Sequence, residues 1–178
     1  MKSLVTGLTI SRILLAPLIF ILTVFFENFW AALILFMSAA LTDYLDGKLA
    51  RRYRVQSKLG EILDPIADKV LIVFVILSVI IITKDGIIAL MGAFILAREF
   101  WVSALREFTR SNNNSSTTKV TFLAKTKTTT QFIALSMYFF AAAADLALVS
   151  FIANFVLFIA ILLAYKSALN YNQNVFRN

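Results

Sequence analysis

The sequence predicts an all-α integral membrane protein with six transmembrane helices, and its composition is the first reason. Of the 178 residues, 60% are hydrophobic and 15% are charged, and the mean hydropathy is +0.84. Soluble domains carry roughly 25% charged residues. The length suits one domain, which we take as residues 1–178. One globular core of that size cannot bury so much apolar sequence, so much of it must face lipid.

Six apolar stretches separated by charged residues give the helix count. Only the last, at residues 146–165, reaches the ~20 residues that a lone spanning helix needs. The other five become long enough if each helix continues into the charged residues at one of its ends. We therefore predict helices near residues 8–27, 29–52, 59–83, 86–109, 119–143 and 147–168.

The distribution of basic residues predicts the orientation of these helices. Cytoplasmic segments of membrane proteins collect Lys and Arg. If the N-terminus is cytoplasmic, Lys84 alone of the 17 basic residues falls on the outer side. An even number of helices returns the C-terminus to the cytoplasm. The net charge of +7 then indicates cytoplasmic loops and anionic lipid, and we expect no nucleic-acid partner.

The chain has no Cys and no His, which limits its chemistry. Without these residues there is no thiolate nucleophile, no imidazole base and no zinc site of the usual kind. Any metal must be held by oxygen atoms, which favours Mg²⁺, Mn²⁺ or Ca²⁺.

Four aspartates flank a short basic linker between predicted helices 2 and 3. Asp43 and Asp46 are three residues apart, and Asp64 and Asp68 are four apart, so each pair shares one helix face. The linker at residues 52–58 makes the two helices an antiparallel hairpin, so the four carboxylates can converge. Charges at membrane depth cost about 2.5–3.5 kcal/mol each. Neighbouring cationic side chains or two bridged divalent ions would compensate them.

Acidic residues near helix ends also serve as caps or as partners in interfacial ion pairs, and for any single aspartate that role is equally plausible. All four at facing helical positions favour a functional site. Small residues support this interpretation, because Gly47, Ala50 and Gly60 leave room beside the acids for a ligand or a close helix contact.

The aspartates belong to a longer pattern, DxxDGxxAR followed after eight residues by GxxxDxxxD, which resembles the signature of the CDP-alcohol phosphotransferase family. The matching residues are Asp43, Asp46, Gly47, Ala50, Arg51, Gly60, Asp64 and Asp68. The resemblance implies an enzyme with six transmembrane helices and a polar cavity open to the cytoplasm. Such an enzyme transfers a phosphatidyl or similar phosphoryl group from a CDP-linked lipid to an alcohol and releases CMP.

The resemblance also implies roles for these residues. Asp43, Asp46, Asp64 and Asp68 would hold two Mg²⁺ or Mn²⁺ ions. Asp68 is the best candidate for the catalytic base, because it lies at the end of the cluster and no histidine competes for the role. The CDP-lipid would be bound by Asp46, Gly47, Ala50, Arg51 and Gly60.

Three further segments are similar to bacterial members of this family whose acceptor is glycerol 3-phosphate. They are LTISRILLAP at residues 8–17, LAREFWVSALREF at 96–108 and AKTKTTTQ at 124–131. The sequence departs from these family members at two places: Ser3-Leu4-Val5 stands where they usually have Asn-Ile-Pro, and Ala124 stands where Gly is common. The resemblance implies the substrates CDP-diacylglycerol and glycerol 3-phosphate, contact with membrane lipids, a homodimer and a place in the bacterial inner (cytoplasmic) membrane.

A phosphate on the acceptor requires cations beyond those around the CDP-lipid. Arg98, Arg106, Lys125 and Lys127 are the candidates. The alternative for the arginines is snorkelling, or pairing with the glutamate that follows each of them. Lys125 and Lys127 project about 200° apart on a helix, so we expect one of them to face the cavity.

Two alternative functions remain open from the sequence. Within the family, the chain could use another acceptor, as a phosphatidylinositol phosphate or cardiolipin synthase does. Outside it, intramembrane acids also suit a cation transporter, although Arg51, Arg98 and Arg106 would repel a transported cation.

Overall fold

The computed structural model describes residues 2–53, 58–111 and 122–176, with side chains described at 7–43, 60, 63–109 and 126–173. All elements within these ranges are α-helices. They are α1 (Lys2–Val24), α2 (Phe29–Tyr53), α3 (Lys58–Thr83), α4 (Gly86–Ser111), α5 (Phe122–Ala144) and α6 (Ala147–Phe176). The six predicted helices are therefore confirmed.

Two helix ends differ from the prediction by more than three residues. Helix α1 begins at Lys2 rather than near residue 8, and α6 continues to Phe176 rather than ending near 168. The sequence LNYNQNVF at the end of α6 is polar enough to leave the lipid, but it contains no Pro or Gly to end the helix. At the start of α1 no proline precedes Pro17. Hydropathy located the apolar part of each helix, and the helix itself is longer.

Within the described residues, four helices contain a segment long and apolar enough to cross a membrane, so the protein is a multi-pass membrane protein. These segments are Gly7–Val24, Leu63–Thr83, Gly86–Thr109 and Ala147–Gln173. In α2 the apolar part within the described side chains is shorter, Phe29–Asp43. The first turns of α5, FLAKTKTTTQ, contain two Lys and four Thr residues. Spanning by α2 and α5 therefore remains a prediction.

Short turns join α1 to α2, α3 to α4, and α5 to α6 at one end of the bundle. Each contains one non-glycine residue in the left-handed region, namely Glu27, Lys84 and Asp145, with φ of 49°, 50° and 52°. After α5, the Leu146 amide donates to the Ala141 carbonyl at 2.9 Å, which satisfies an end-of-helix acceptor. Successive helices thus run in opposite directions.

The packing order brings the charged helix segments together. Helix α1 packs against α2 and α3, α5 packs against α2, α3 and α6, and α4 joins α3 to α6. Helices α3 and α4 approach closely at Gly92, where a Cβ atom would lie 2.6 Å from Ile76 Cγ2. Phe36 and Phe139 are fully buried between α2 and α5. Asp43 and Asp68 consequently contact α1 on one side and share a cavity with cations of α4 and α5 on the other.

Candidate active site

A buried arginine of α1 lies at the centre of the aspartate cluster. Arg12 is only 1% exposed. Its Nη1 donates to Oδ1 of Asp43 and, at 2.7 Å, to Oδ1 of Asp68. Its Nη2 lies 3.4 Å from Oδ1 of Asp64. Carboxylates from two helices therefore converge on one guanidinium from a third.

Thr9 extends this network along the same face of α1. It lies three residues before Arg12, is fully buried, and donates from Oγ1 to Oδ1 of Asp64 at 2.7 Å. The spacing places both side chains toward α3. Asp64 is therefore held by two α1 side chains.

The cluster lies well inside the bundle. Arg12, Asp43 and Asp68 are each ten residues from the end of their helix on the linker side, which corresponds to ~15 Å of helix rise. Yet the carboxylates remain accessible, because Asp43, Asp64 and Asp68 are 55%, 47% and 58% exposed. The acids are covered by Arg12 on one side and open on the other.

The donor chemistry of this cluster fits a divalent cation. Carboxylate oxygens are the ligands that Mg²⁺ and Mn²⁺ prefer, and three of them already point toward one positive charge. Among the residues with described side chains, no three acids are arranged as a metal site, since the guanidinium of Arg12 lies between them. Asp46, the fourth predicted ligand, lies outside those residues.

The open side of the carboxylates faces a cavity of about 1090 Å³. Asp43 and Asp68 line one wall, and Arg98, Arg106 and Lys127 line another. The acids of α2 and α3 and the cations of α4 and α5 therefore share one cavity. Of the two lysines between which the sequence left the choice open, Lys127 lines it.

Glu99 links the two buried cations of this cavity. Arg98 Nη1 donates to Glu99 Oε1 at 3.0 Å, and Lys127 Nζ donates to the same oxygen. Arg98 Nε also donates to the Ala164 carbonyl at 2.9 Å, which ties α4 to α6. The pairing with Glu99 that was the alternative for Arg98 is thus present, although Arg98 still lines the cavity.

Arg106 has a different environment at the mouth of the cavity. It is exposed, and its Cζ lies 5.9 Å from the centre of the Tyr171 ring on α6. This distance suits a cation–π contact. Because its guanidinium is not buried in an ion pair with described residues, Arg106 can reorient toward a ligand.

An apolar part of the cavity lies between α2 and α5. It is lined there by Leu33, Met37, Ile133, Met137 and Phe140. A single cavity thus has a charged part and a hydrocarbon-like part, as an amphipathic ligand requires.

Several predicted site residues lie outside the described side chains. Gly60 is buried in α3. The side chains of five other predicted site residues are outside the described part, namely Asp46, Gly47, Ala50, Arg51 and Lys125.

Two residues at the site were missed as site residues from the sequence. Arg12 was assigned only to the set of inner basic residues, and Glu99 only as a pairing partner of Arg98. An arginine inside an apolar run is itself a signal, because charge at membrane depth needs a partner. The partners belong to other helices, and their identity required the packing of α1 against α2 and α3.

Fold and site together define a multi-pass helical membrane protein with a carboxylate cluster and a cation cluster on one amphipathic cavity. The profile of the CDP-alcohol phosphatidyltransferase family matches residues 3–166, so the chain belongs to this family of phosphatidyltransferases.

Two bacterial proteins are similar to this chain. A protein of Cereibacter sphaeroides is 44% identical over 138 residues, covering 74% of this chain and 61% of the relative. A protein of Escherichia coli strain K12 is 41% identical over 134 residues, covering 74% of this chain and 73% of the relative. Both are named CDP-diacylglycerol–glycerol-3-phosphate 3-phosphatidyltransferase. The matched region therefore spans less than two thirds of the first relative.

Proposed function

We propose that the protein transfers the phosphatidyl group of CDP-diacylglycerol to glycerol 3-phosphate, giving phosphatidylglycerophosphate and CMP. The observation that carries this proposal is the shared cavity, with Asp43 and Asp68 on one wall and Arg98 and Lys127 on another. The names of the relatives support the same pair of substrates.

The donor lipid suits the carboxylate wall and the apolar extension. Asp46, Gly47, Ala50, Arg51 and Gly60 are proposed to contact the CDP part, on the basis of the family signature. The acyl chains would lie along the apolar residues between α2 and α5, where Met37 and Ile133 line the cavity and are 53% and 51% exposed. A lipid substrate can then remain partly in the membrane while its pyrophosphate reaches the acids.

The acceptor phosphate suits the opposite wall. Arg98 and Lys127 are 4% and 7% exposed and share one carboxylate, that of Glu99. This trio has a net charge of one positive unit, and Arg106 at the mouth adds another. A dianionic phosphate would balance both, with charge-assisted hydrogen bonds that are roughly twice as strong as neutral ones. Lys125 is the alternative to Lys127 as the lysine that contacts the phosphate, because the two side chains project about 200° apart on a helix.

In the proposed reaction, the primary hydroxyl of glycerol 3-phosphate attacks the β-phosphorus of CDP-diacylglycerol. A new P–O bond forms, the bond to CMP breaks, and Asp68 accepts the hydroxyl proton. Asp43, Asp46, Asp64 and Asp68 would hold two Mg²⁺ or Mn²⁺ ions. When bound, these ions neutralise charge on the pyrophosphate and the leaving CMP.

The remaining proposals concern the protein in its membrane. We propose one domain over residues 1–178, with six transmembrane helices and both termini in the cytoplasm of a bacterial inner membrane. The basic residues concentrated on the linker side support this orientation. The cavity would then open toward the soluble substrate, glycerol 3-phosphate. A homodimer is proposed from the family resemblance alone.

The test is CMP release by purified protein supplied with CDP-diacylglycerol and one acceptor at a time. We expect release with glycerol 3-phosphate and Mg²⁺ or Mn²⁺, and loss of release with EDTA. Preference for inositol phosphate or phosphatidylglycerol would identify a different acceptor class. Metal flux into proteoliposomes without CMP release would contradict the enzyme assignment and identify a cation transporter.

A further inference from the structure

We propose that Arg12 is a built-in counter-cation that holds the carboxylate cluster together without metal and competes with a divalent ion for the negative charge of the same carboxylates. This inference deepens the proposed function and rests on its assignment of Asp43, Asp64 and Asp68 as metal ligands. Arg12 is thus a positioning residue, which acts through the aspartates.

The geometry places Arg12 and a cation from the cavity on opposite sides of the acids. Arg12 approaches from the buried face of α1 and is 1% exposed. Its three partners are about half exposed on their other side, and Asp43 and Asp68 line the cavity. An ion arriving from the cavity meets the carboxylates directly, whereas Arg12 reaches them without contact with bulk water.

An arginine suits this role better than a lysine does. Nη1 joins both aspartate-bearing helices through Asp43 and Asp68, and Nη2 adds a longer contact to Asp64, so the planar guanidinium reaches three carboxylates with two nitrogens. A lysine has one nitrogen on a flexible stem. Thr9 orients Asp64 from the same face of α1, so α1 acts as a template for the cluster.

The charge balance explains why competition is expected. Among the described residues of the cluster, three carboxylates and one guanidinium leave two negative charges, enough for one divalent ion. Without Arg12, three negative charges would repel one another at this depth. Such a cluster would fold poorly without metal and would bind a divalent ion more tightly, because attraction grows with the uncompensated charge.

The test measures Mn²⁺ binding without turnover. Full-length protein in detergent, stripped with EDTA and free of substrate, is titrated with Mn²⁺, and free Mn²⁺ is measured by electron paramagnetic resonance. We expect Arg12→Gln to bind Mn²⁺ on the order of 10-fold more tightly than wild type. Lys166→Gln, which removes an exposed lysine of α6, should change the affinity less than twofold. Equal or weaker binding by Arg12→Gln would overturn the proposed competition.

Thermal unfolding in EDTA tests the counter-cation role separately. Arg12→Gln should unfold at a lower temperature than Arg12→Lys, and Mn²⁺ should raise its unfolding temperature more than that of wild type. If Arg12→Gln does not fold, the double variant with Asp68→Asn should recover folded protein, because it removes one repelling charge. No recovery, or equal stability of the Gln and Lys variants, would contradict the proposal.

These outcomes are distinguishable from failure of the proposed function. Wild-type protein that binds Mn²⁺ without releasing CMP would refute the enzyme assignment and leave the Arg12 comparison intact. Absence of Mn²⁺ binding in every variant would refute the metal site and the competition together. In that case the EDTA stability comparison would still decide whether Arg12 is the counter-cation.

Discussion

Replacing Glu99 by Gln should reveal how strongly one carboxylate holds the two buried cations of the cavity. The substitution keeps the shape but leaves Arg98 and Lys127, which are 4% and 7% exposed, without their shared anion. Breaking a buried ion pair costs about 3–5 kcal/mol. Glu99 is 24% exposed, so water offsets part of this cost. We therefore expect Glu99→Gln to lower the free energy of unfolding by about 2 kcal/mol. For a chain of this size that corresponds to ~4–8 °C in unfolding temperature.

The measurement is thermal unfolding in detergent, with and without glycerol 3-phosphate. Under the proposed function, the acceptor phosphate supplies the missing negative charge, so it should stabilise Glu99→Gln more than wild type. The matched control is Glu107→Gln, an exposed glutamate on the same helix. If the Glu99 and Glu107 variants unfold within 1 °C of each other, the ion-pair network does not have the assigned strength.

Two other substitutions test the base and the helix packing. Asp68→Asn should retain Mn²⁺ and CDP-diacylglycerol binding but lose transfer by about 10² to 10⁴-fold, the usual contribution of a general base; metal binding lost in proportion to activity would make Asp68 mainly a ligand. Gly92→Ala should destabilise the protein by about 1–3 kcal/mol, because the new Cβ meets Ile76 Cγ2 at 2.6 Å and a β-branched side chain is stiff. Combining it with Ile76→Leu should restore part of the unfolding temperature, because leucine has no methyl group on Cβ. If the unfolding temperature of Gly92→Ala equals that of wild type, α3 and α4 can separate there without loss of stability.

The elements of the fold were predictable because each depends on local sequence. Apolar runs interrupted by charged residues located all six helices. The spacing of Asp64 and Asp68 predicted that they share a face, and the pairing of Arg98 with Glu99 was foreseen as an alternative. These relations hold within one helix, where residue spacing determines direction.

Relations between helices were harder to predict. Nothing in the periodicity of α1 indicates that Arg12 lies between Asp43 and Asp68, because this depends on which helices are neighbours. Likewise, the contact from Lys127 to Glu99 crosses from α5 to α4. Hydropathy also gave a poor measure of the length of α6, whose polar last turns continue to Phe176. The motif identified the acids, whereas their buried counter-charge became visible through packing.

The central claim is that one cavity binds the acceptor phosphate on its α4–α5 wall while the aspartates act on the donor. Steady-state kinetics of Lys127→Gln, with both substrates varied, tests it most directly. Loss of a charge-assisted hydrogen bond is worth about 1.5–3 kcal/mol, so KM for glycerol 3-phosphate should rise roughly 10- to 150-fold. KM for CDP-diacylglycerol should stay within twofold of wild type, as should both constants in the control Lys166→Gln, whose lysine is exposed on α6. An unchanged acceptor KM, or equal increases for both substrates, would contradict the account.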